Sequence, residues 1–169
     1  MHKLSYKTII LSSAALLLSA CGSDSRQASS QSSQHPVSSR YIKYDAKKAN
    51  AIVSMAKRML GQPYRYGGSN PLEGFDCSGL VLFTHSQVSK GMPRVSKAQY
   101  AQSKTVSLKD LRPGDLLFYK TSSTPTHVTI YIGDRKFIHA PSSGKEVKVA
   151  SMDNPYFKPR LVKAGRLYR

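Results

Sequence analysis

Beyond Gly91 the chain breaks into short apolar runs: DLLFYK (115–120), HVTIYI (127–132), KFIHA (136–140), EVKVA (146–150) and RLVKAGRLY near the end. Turn signals at Pro113-Gly114, Thr124-Pro125, Gly133-Asp134 and Ser142-Ser143-Gly144 separate them, so the runs read as antiparallel strands. Upstream the spacing is helical. In AKKANAIVSMAKRMLG, residues Ala51, Ile52, Met55, Ala56 and Met59 recur on one helical face and Gly61 follows as a C-terminal cap. CSGLVLFTHSQVSK is apolar from Leu80 to Phe83 and long enough for a buried helix, with Asp76 or Ser78 available to cap it. Between the two lies QPYRYGGSNPLEGFD, a shaped loop. Helices first and strands afterwards restrict the fold to the α+β class, a helical lobe against an antiparallel sheet.

The N-terminus reads differently. Lys3 and Lys7 precede the run TIILSSAALLLSA, which is too short to span a bilayer comfortably and fits an export signal over residues 1–20. Leu18-Ser19-Ala20-Cys21 resembles the bacterial lipoprotein signal, in which Cys21 would be lipidated and become the new first residue. Residues 22–40 contain eight serines and three glutamines with almost nothing apolar. That composition predicts a flexible tether over 21–43, reaching roughly 25 Å and at most roughly 65 Å, before one domain over 44–169. Loss of residues 1–20 removes Lys3 and Lys7 and lowers the formal charge from +17 to +15. Such a surplus suits anionic surroundings, of which nucleic acid is the least compatible with export.

A lipidated Cys21 leaves Cys77 as the lone thiol of an exported chain, without a disulfide partner. Its predicted position is a helix N-terminus, where unpaired N–H groups and the helix dipole favour a thiolate, whereas the neighbouring Asp76 opposes one. A buried, inert cysteine is the bland alternative. A nucleophilic thiol needs a base, and histidine is the natural one. His2 falls in the signal, His35 in the tether and His85 in or just after the cysteine's helix; His127 and His139 fall on predicted strands.

Strand geometry tests that pair. If Ile132 pairs with Lys136 across a three-residue turn, Gly133-Asp134-Arg135, then His139 faces Thr129 and His127 is its diagonal neighbour on the same face. A two-residue turn there would set the histidines on opposite faces. On the first register His127 takes the proton from Cys77 and His139 orients His127. The alternative is a pair of strand histidines with only structural roles. One Cys and two His are also a zinc donor set, but the chain has no CxxC or HxxxH spacing, so no metal or cofactor is expected.

The motifs GQPYRYGG (61–68), GFDCSGLV (74–81), PRVSKAQ (93–99), LRPGDLLFY (111–119), THVTIYIG (126–133) and FIHA (137–140) together resemble the NlpC family of papain-like cell-wall endopeptidases, from about residue 47 onward. The resemblance implies a papain-like fold and hydrolysis of the γ-D-glutamyl to meso-diaminopimelate (or lysine) bond of peptidoglycan stem peptides. It assigns Cys77 as nucleophile, His127 as base and His139 as third member, places Tyr66 near the oxyanion, and puts Asp76 and Ser78 along the substrate cleft. The alternative reading makes Tyr66 a core aromatic and Asp76 and Ser78 only caps. Arg94 has two readings: it meets a stem-peptide carboxylate, or it pairs with Asp76 or Asp115. Thr129 stands where many relatives carry Gly or Ala, and Gln99 where they often show a Gln pair. By analogy with Gram-negative sorting, Gly22 after Cys21 would direct a lipid-anchored monomer to the periplasmic face of the outer membrane. Competing expectations are a non-catalytic lipoprotein that recruits wall enzymes, and an amidase or acyltransferase acting on another acyl substrate.

Overall fold

The computed structural model describes residues 42–122 and 127–168, all within one compact unit spanning Val37–Arg169. The predicted signal, Cys21, nearly all of the tether and the Thr124-Pro125 turn lie outside the described residues.

The first helix, α1 (Ala46–Arg58), starts where the Asp45 carboxylate accepts the Lys48 N–H at 3.1 Å, and it ends with Lys57 and Arg58 beside its negative dipole end. Its buried stripe is Ala49, Ile52 and Ala56; Ala51, expected on that face, is exposed. Two short strands, β1 (Ser69–Asn70) and β2 (Gly74–Phe75), form a hairpin within the shaped loop. Then come α2 (Cys77–His85), a third helix α3 (Ser96–Gln102) and the strand pair-former β3 (Lys104–Thr105). Helix α3 was not expected from the sequence: it has seven residues and buries only Gln99, so it carries no apolar stripe to read.

The remaining strands are β4 (Leu116–Tyr119), β5 (His127–Gly133), β6 (Lys136–His139), β7 (Lys148–Ser151) and β8 (Leu161–Arg166). They build a six-stranded sheet in the order β3-β8-β4-β5-β6-β7, antiparallel throughout. Alternation along the strands separates two cores. Leu116, Phe118, Val128, Ile130 and Ile138 pack toward Ile52, Leu80 and Val81 of the helices. Leu117, Tyr119, Tyr131 and Phe137 pack on the other face with Met152 and Phe157. The fold is therefore α+β, with the helices on one side of the sheet.

The β5–β6 hairpin departs from the expected turn. Gly133 pairs with Lys136, and Asp134 and Arg135 form a two-residue turn with φ of 49° and 55°, the positive-φ conformation that matches strand twist. A bulge at Ile132 then restores the even register, giving Tyr131↔Phe137 and Ile130↔Ile138. The extra residue sits in the strand and not in the turn, and the histidines still share a face.

One ion pair is wholly internal. Arg166 donates from Nε and Nη2 to both oxygens of Asp115 at 2.6 and 2.8 Å, and its Nη1 reaches the Ile42 carbonyl at 3.2 Å. It thereby joins β8, the residue before β4 and the start of the described chain.

Candidate active site

The segment Gly74–Leu80 shows why its residues surround a cysteine. Gly74 has φ +95°, and a Cβ there would run into the Pro63 carbonyl; a Cβ on Gly79 would run into that of Gly68. Both glycines let the loop close on the first turn of α2. Asp76 is the N-cap: Oδ1 accepts from Gly79 N at 2.6 Å and Oδ2 from Gly67 N at 3.0 Å. Arg94 grips the same carboxylate, Nη2 to Oδ2 at 2.7 Å and Nη1 to Oδ1 at 3.1 Å, and also donates to Ser78 Oγ at 3.1 Å. Of the partners expected for Arg94, Asp76 is the one it meets; Asp115 belongs to Arg166. Burial would raise the Asp76 pKa, but the hydrogen bonds from Arg94 and Gly79 outweigh it and hold the carboxyl below its usual range.

Cys77 opens α2 half-buried and lies within hydrogen-bonding reach of the Val128 backbone, one residue beyond His127. Burial, aided by the Asp76 charge, pushes its thiol above the ordinary value, although hydrogen bonds from the Val128 backbone, and to a smaller extent those of Ser78 and Cys77, act in the opposite direction. The thiolate expected from the helix dipole alone is therefore not the resting form. Arg94 neutralises much of Asp76, yet desolvation of the sulfur dominates.

His127 opens β5, and alternation turns its side chain to the face away from the helices. Its neighbour Val128 is the residue whose backbone lies within hydrogen-bonding reach of Cys77, and each of Cys77 and His127 stands at the first position of its element. His127 Nε2 is 2.9 Å from Nδ1 of His139, the last residue of β6, and the two rings cross at 73°. Their surroundings are aromatic. Phe157 stacks on His127 at 6.1 Å and meets His139 edge-on at 5.3 Å, while Tyr119 and Phe137 complete the enclosure. His127 is 7% exposed and His139 1%. Burial lowers the pKa of His127 to about 4 and, with the charge of His127 added, that of His139 to about 3. Both rings are neutral near pH 7. With His127 Nε2 committed to His139, Nδ1 is the nitrogen left for a thiol.

Two cavities adjoin these residues. One, of about 470 Å³, is lined by Tyr64, Tyr66, Asp76, Cys77, Ser78 and Arg94; the other, of about 500 Å³, by His127, His139, Lys145, Lys148, Tyr156 and Phe157 among others. Tyr66 is 88% exposed at the rim of the first, not a core residue. Sequence reasoning passed over Tyr64, whose hydroxyl pKa is raised by burial and then by Cys77. Gln99, noted in the sequence only for standing where relatives often show a Gln pair, ties Ser78 O at 2.9 Å to Pro93 O at 2.8 Å through its Nε2, and Phe157 was passed over. The motif PRVSKAQ contained Gln99, whereas nothing in the sequence near Phe157 connects it with the histidines. Among the described residues no group of three or more His, Cys, Asp and Glu side chains is arranged to hold a metal ion.

Residues 61–166 match the model of the NlpC/P60 family. The chain is 36% identical over 168 residues to "Murein DD-endopeptidase MepS/Murein LD-carboxypeptidase" of Escherichia coli (strain K12), covering 90% of this chain and 87% of that protein. It is 38% identical over 120 residues to "Gamma-DL-glutamyl hydrolase" of Bacillus subtilis (strain 168), covering 69% of this chain and 29% of the other. Most other curated relatives are likewise matched over about half their length or less. Among solved structures, an NLP/P60-family protein similar to lipoprotein from Staphylococcus aureus superposes with TM-score 0.68 at 30% identity, over 76% of this chain and 44% of that one.

Proposed function

Because the chain belongs to the NlpC/P60 family, we propose that it is a peptidoglycan endopeptidase in which Cys77 is the nucleophile, His127 the base and His139 the residue that orients His127. The observation that carries this reading is the 2.9 Å contact between His127 Nε2 and His139 Nδ1, with a cysteine at the start of α2 in reach of the backbone of Val128, the residue after His127. In the tautomer that suits the chemistry, His127 Nε2–H donates to His139 Nδ1, and His127 Nδ1 accepts the thiol proton.

Sγ then attacks the amide carbon, and an S–C bond forms as the carbonyl π pair moves to oxygen. Backbone N–H groups at the start of α2 lie where that oxyanion would develop, with the Tyr66 hydroxyl proposed to close over it. Collapse breaks the C–N bond, and the proton held by His127 passes to the departing nitrogen. Water, deprotonated by His127, next attacks the thioester carbon; the C–S bond breaks and the thiol recovers its proton. Asp76 and Ser78 would line the acyl side of the cleft, with Arg94 engaged in holding Asp76.

The bond we assign is that between γ-D-glutamate and meso-diaminopimelate. A second reading, cleavage of the cross-link between D-alanine and diaminopimelate, draws support from the likeness to a DD-endopeptidase over 90% of the chain. Digestion of a disaccharide-tetrapeptide and its cross-linked dimer, read by mass spectrometry, separates the two. The first reading expects both substrates cut after glutamate; the second expects only the dimer cut, into monomers. Equal absence of cleavage by the parent and a folded Cys77→Ala variant would leave a recruiting lipoprotein. Cleavage of neither with transfer of other acyl groups would indicate an amidase or acyltransferase.

We further propose the layout 1–20 signal, 21–43 lipidated Cys21 with tether and 44–169 catalytic domain, anchored in the envelope at the periplasmic face of the outer membrane. Among the described residues no helix is long and apolar enough to cross a membrane. Membrane fractionation of a Cys21→Ser variant tests the anchor: release of the protein is expected, and retention would refute it.

A further inference from the structure

The second cavity has a chemical role if His127 is the base, and the inference rests on that proposed function. A base that takes the thiol proton must deliver it to the departing amine, so the leaving fragment has to lie on the side of His127. There the cavity of about 500 Å³ opens, with His127 and His139 in its wall. Its rim carries two ammonium groups. Lys148 pairs directly across the sheet with His139 and so points to the same face. Lys145 stands in the turn that leads into β7, its N–H bonded to Ser142 O at 3.2 Å. Both lysines are exposed, and among the described residues neither forms a salt bridge. Both help to lower the His139 pKa, which places their positive field over the pocket.

We propose that Lys145 and Lys148 form a subsite for the leaving fragment and recognise the free carboxylate of its diamino acid. The opposite side of the dyad is built differently, since its one guanidinium is already held by Asp76. On this arrangement the acyl side selects by shape and hydrogen bonding, and the leaving side by charge. In either reading of the scissile bond the diamino acid that departs carries one carboxylate outside the peptide chain: on the carbon that bears the departing nitrogen if the cross-link is cut, and at the far end of the side chain if the stem is cut.

The test uses cross-linked dimers whose diaminopimelate carboxylate is either free or amidated. The parent is expected to favour the free acid about tenfold in kcat/KM, expressed in KM. Lys145→Ala/Lys148→Ala should lose that preference, Lys145→Arg/Lys148→Arg should keep it, and Lys148→Glu should reverse it. Equal turnover of both dimers by the parent, or an equal loss on both in the alanine variant, would overturn the subsite. Calorimetry on Cys77→Ala protein supplies a readout independent of turnover, with diaminopimelyl-D-alanine and the free-amine tetrapeptide as probes. Lysine-dependent binding without turnover in the parent would sustain the subsite while refuting the endopeptidase. Turnover with lysine-independent binding of both probes would do the reverse.

Discussion

The two ends of the proposed catalytic dyad are tuned by opposite means. Around Cys77 the setting is polar and half open: Asp76 receives Gly79, Gly67, Ser78 and Arg94, and every one of those bonds holds the first turn of α2 in place. Around His127 it is closed and aromatic, with Phe157, Tyr119 and Phe137 against the rings. Both settings nevertheless favour neutral partners. Desolvation raises the thiol and lowers the imidazoles, so the resting pair is thiol and imidazole, and the ion pair forms only as the reaction begins. Polar contacts here fix geometry, whereas burial sets protonation.

The most damaging way to break this division is at the orienting ring. His139→Ala frees His127 to rotate and to change tautomer, and kcat should fall by about a hundredfold or more with far-UV circular dichroism unchanged. A loss under tenfold would mean that the aromatic walls alone orient His127.

At the polar end, Asp76→Ala orphans two backbone N–H groups and leaves Arg94 unpaired. It should cost about 2 kcal/mol in urea unfolding, against about 1 kcal/mol for Asp76→Asn, whose single amide oxygen keeps the Gly79 cap but whose NH2 cannot accept from Gly67 or Arg94. Similar costs for the two would assign the stabilisation to charge and not to capping.

Acid sharpens the contrast. His127 and the internal His85 are held at about 4 when folded, below the unfolded value of about 6.5, so the unfolded chain binds more protons as pH falls through that window. Stability should thus be complete above about pH 7 and decline below it, by about 2 kcal/mol per imidazole at pH 5. His85→Gln should remove one share of the slope, measurable by thermal melts across pH. Activity behaves differently: the base form of His127 persists, so the acid limb of kcat/KM should fall near pH 4 and not near 6.5.

The smallest expected effect tests the enclosure itself. Phe157→Leu admits water beside His127 and should move that acid limb upward by about one pH unit, equivalent to about 1.4 kcal/mol. An unmoved limb would show that Tyr119 and Phe137 suffice to keep the ring dry.

Much of this was legible in the sequence because it follows from local periodicity. The strands around Phe118, Ile130 and Ile138 were legible as short apolar runs between turn signals, and Asp76 and Cys77 by their place before an apolar helix. What escaped was non-local or carried no periodic signal. Phe157 reaches the histidines from a loop beyond β7, Lys148 meets His139 only through strand pairing, and α3 buries too little to betray its spacing. The β5–β6 turn was misjudged in a specific way: residue parity was right, but Asp134 and Arg135 adopt positive φ without a glycine, so the additional residue lies at Ile132.

That bulge has an arithmetical consequence for how the molecule can vary. The histidines lie on one face only because an odd number of residues intervenes between Tyr131 and Phe137. Any insertion or deletion at the hairpin tip that leaves both strands paired is therefore tolerable in twos and ruinous in ones. A single-residue change far from the chemistry would dissolve the His127–His139 contact without altering any residue of the cleft.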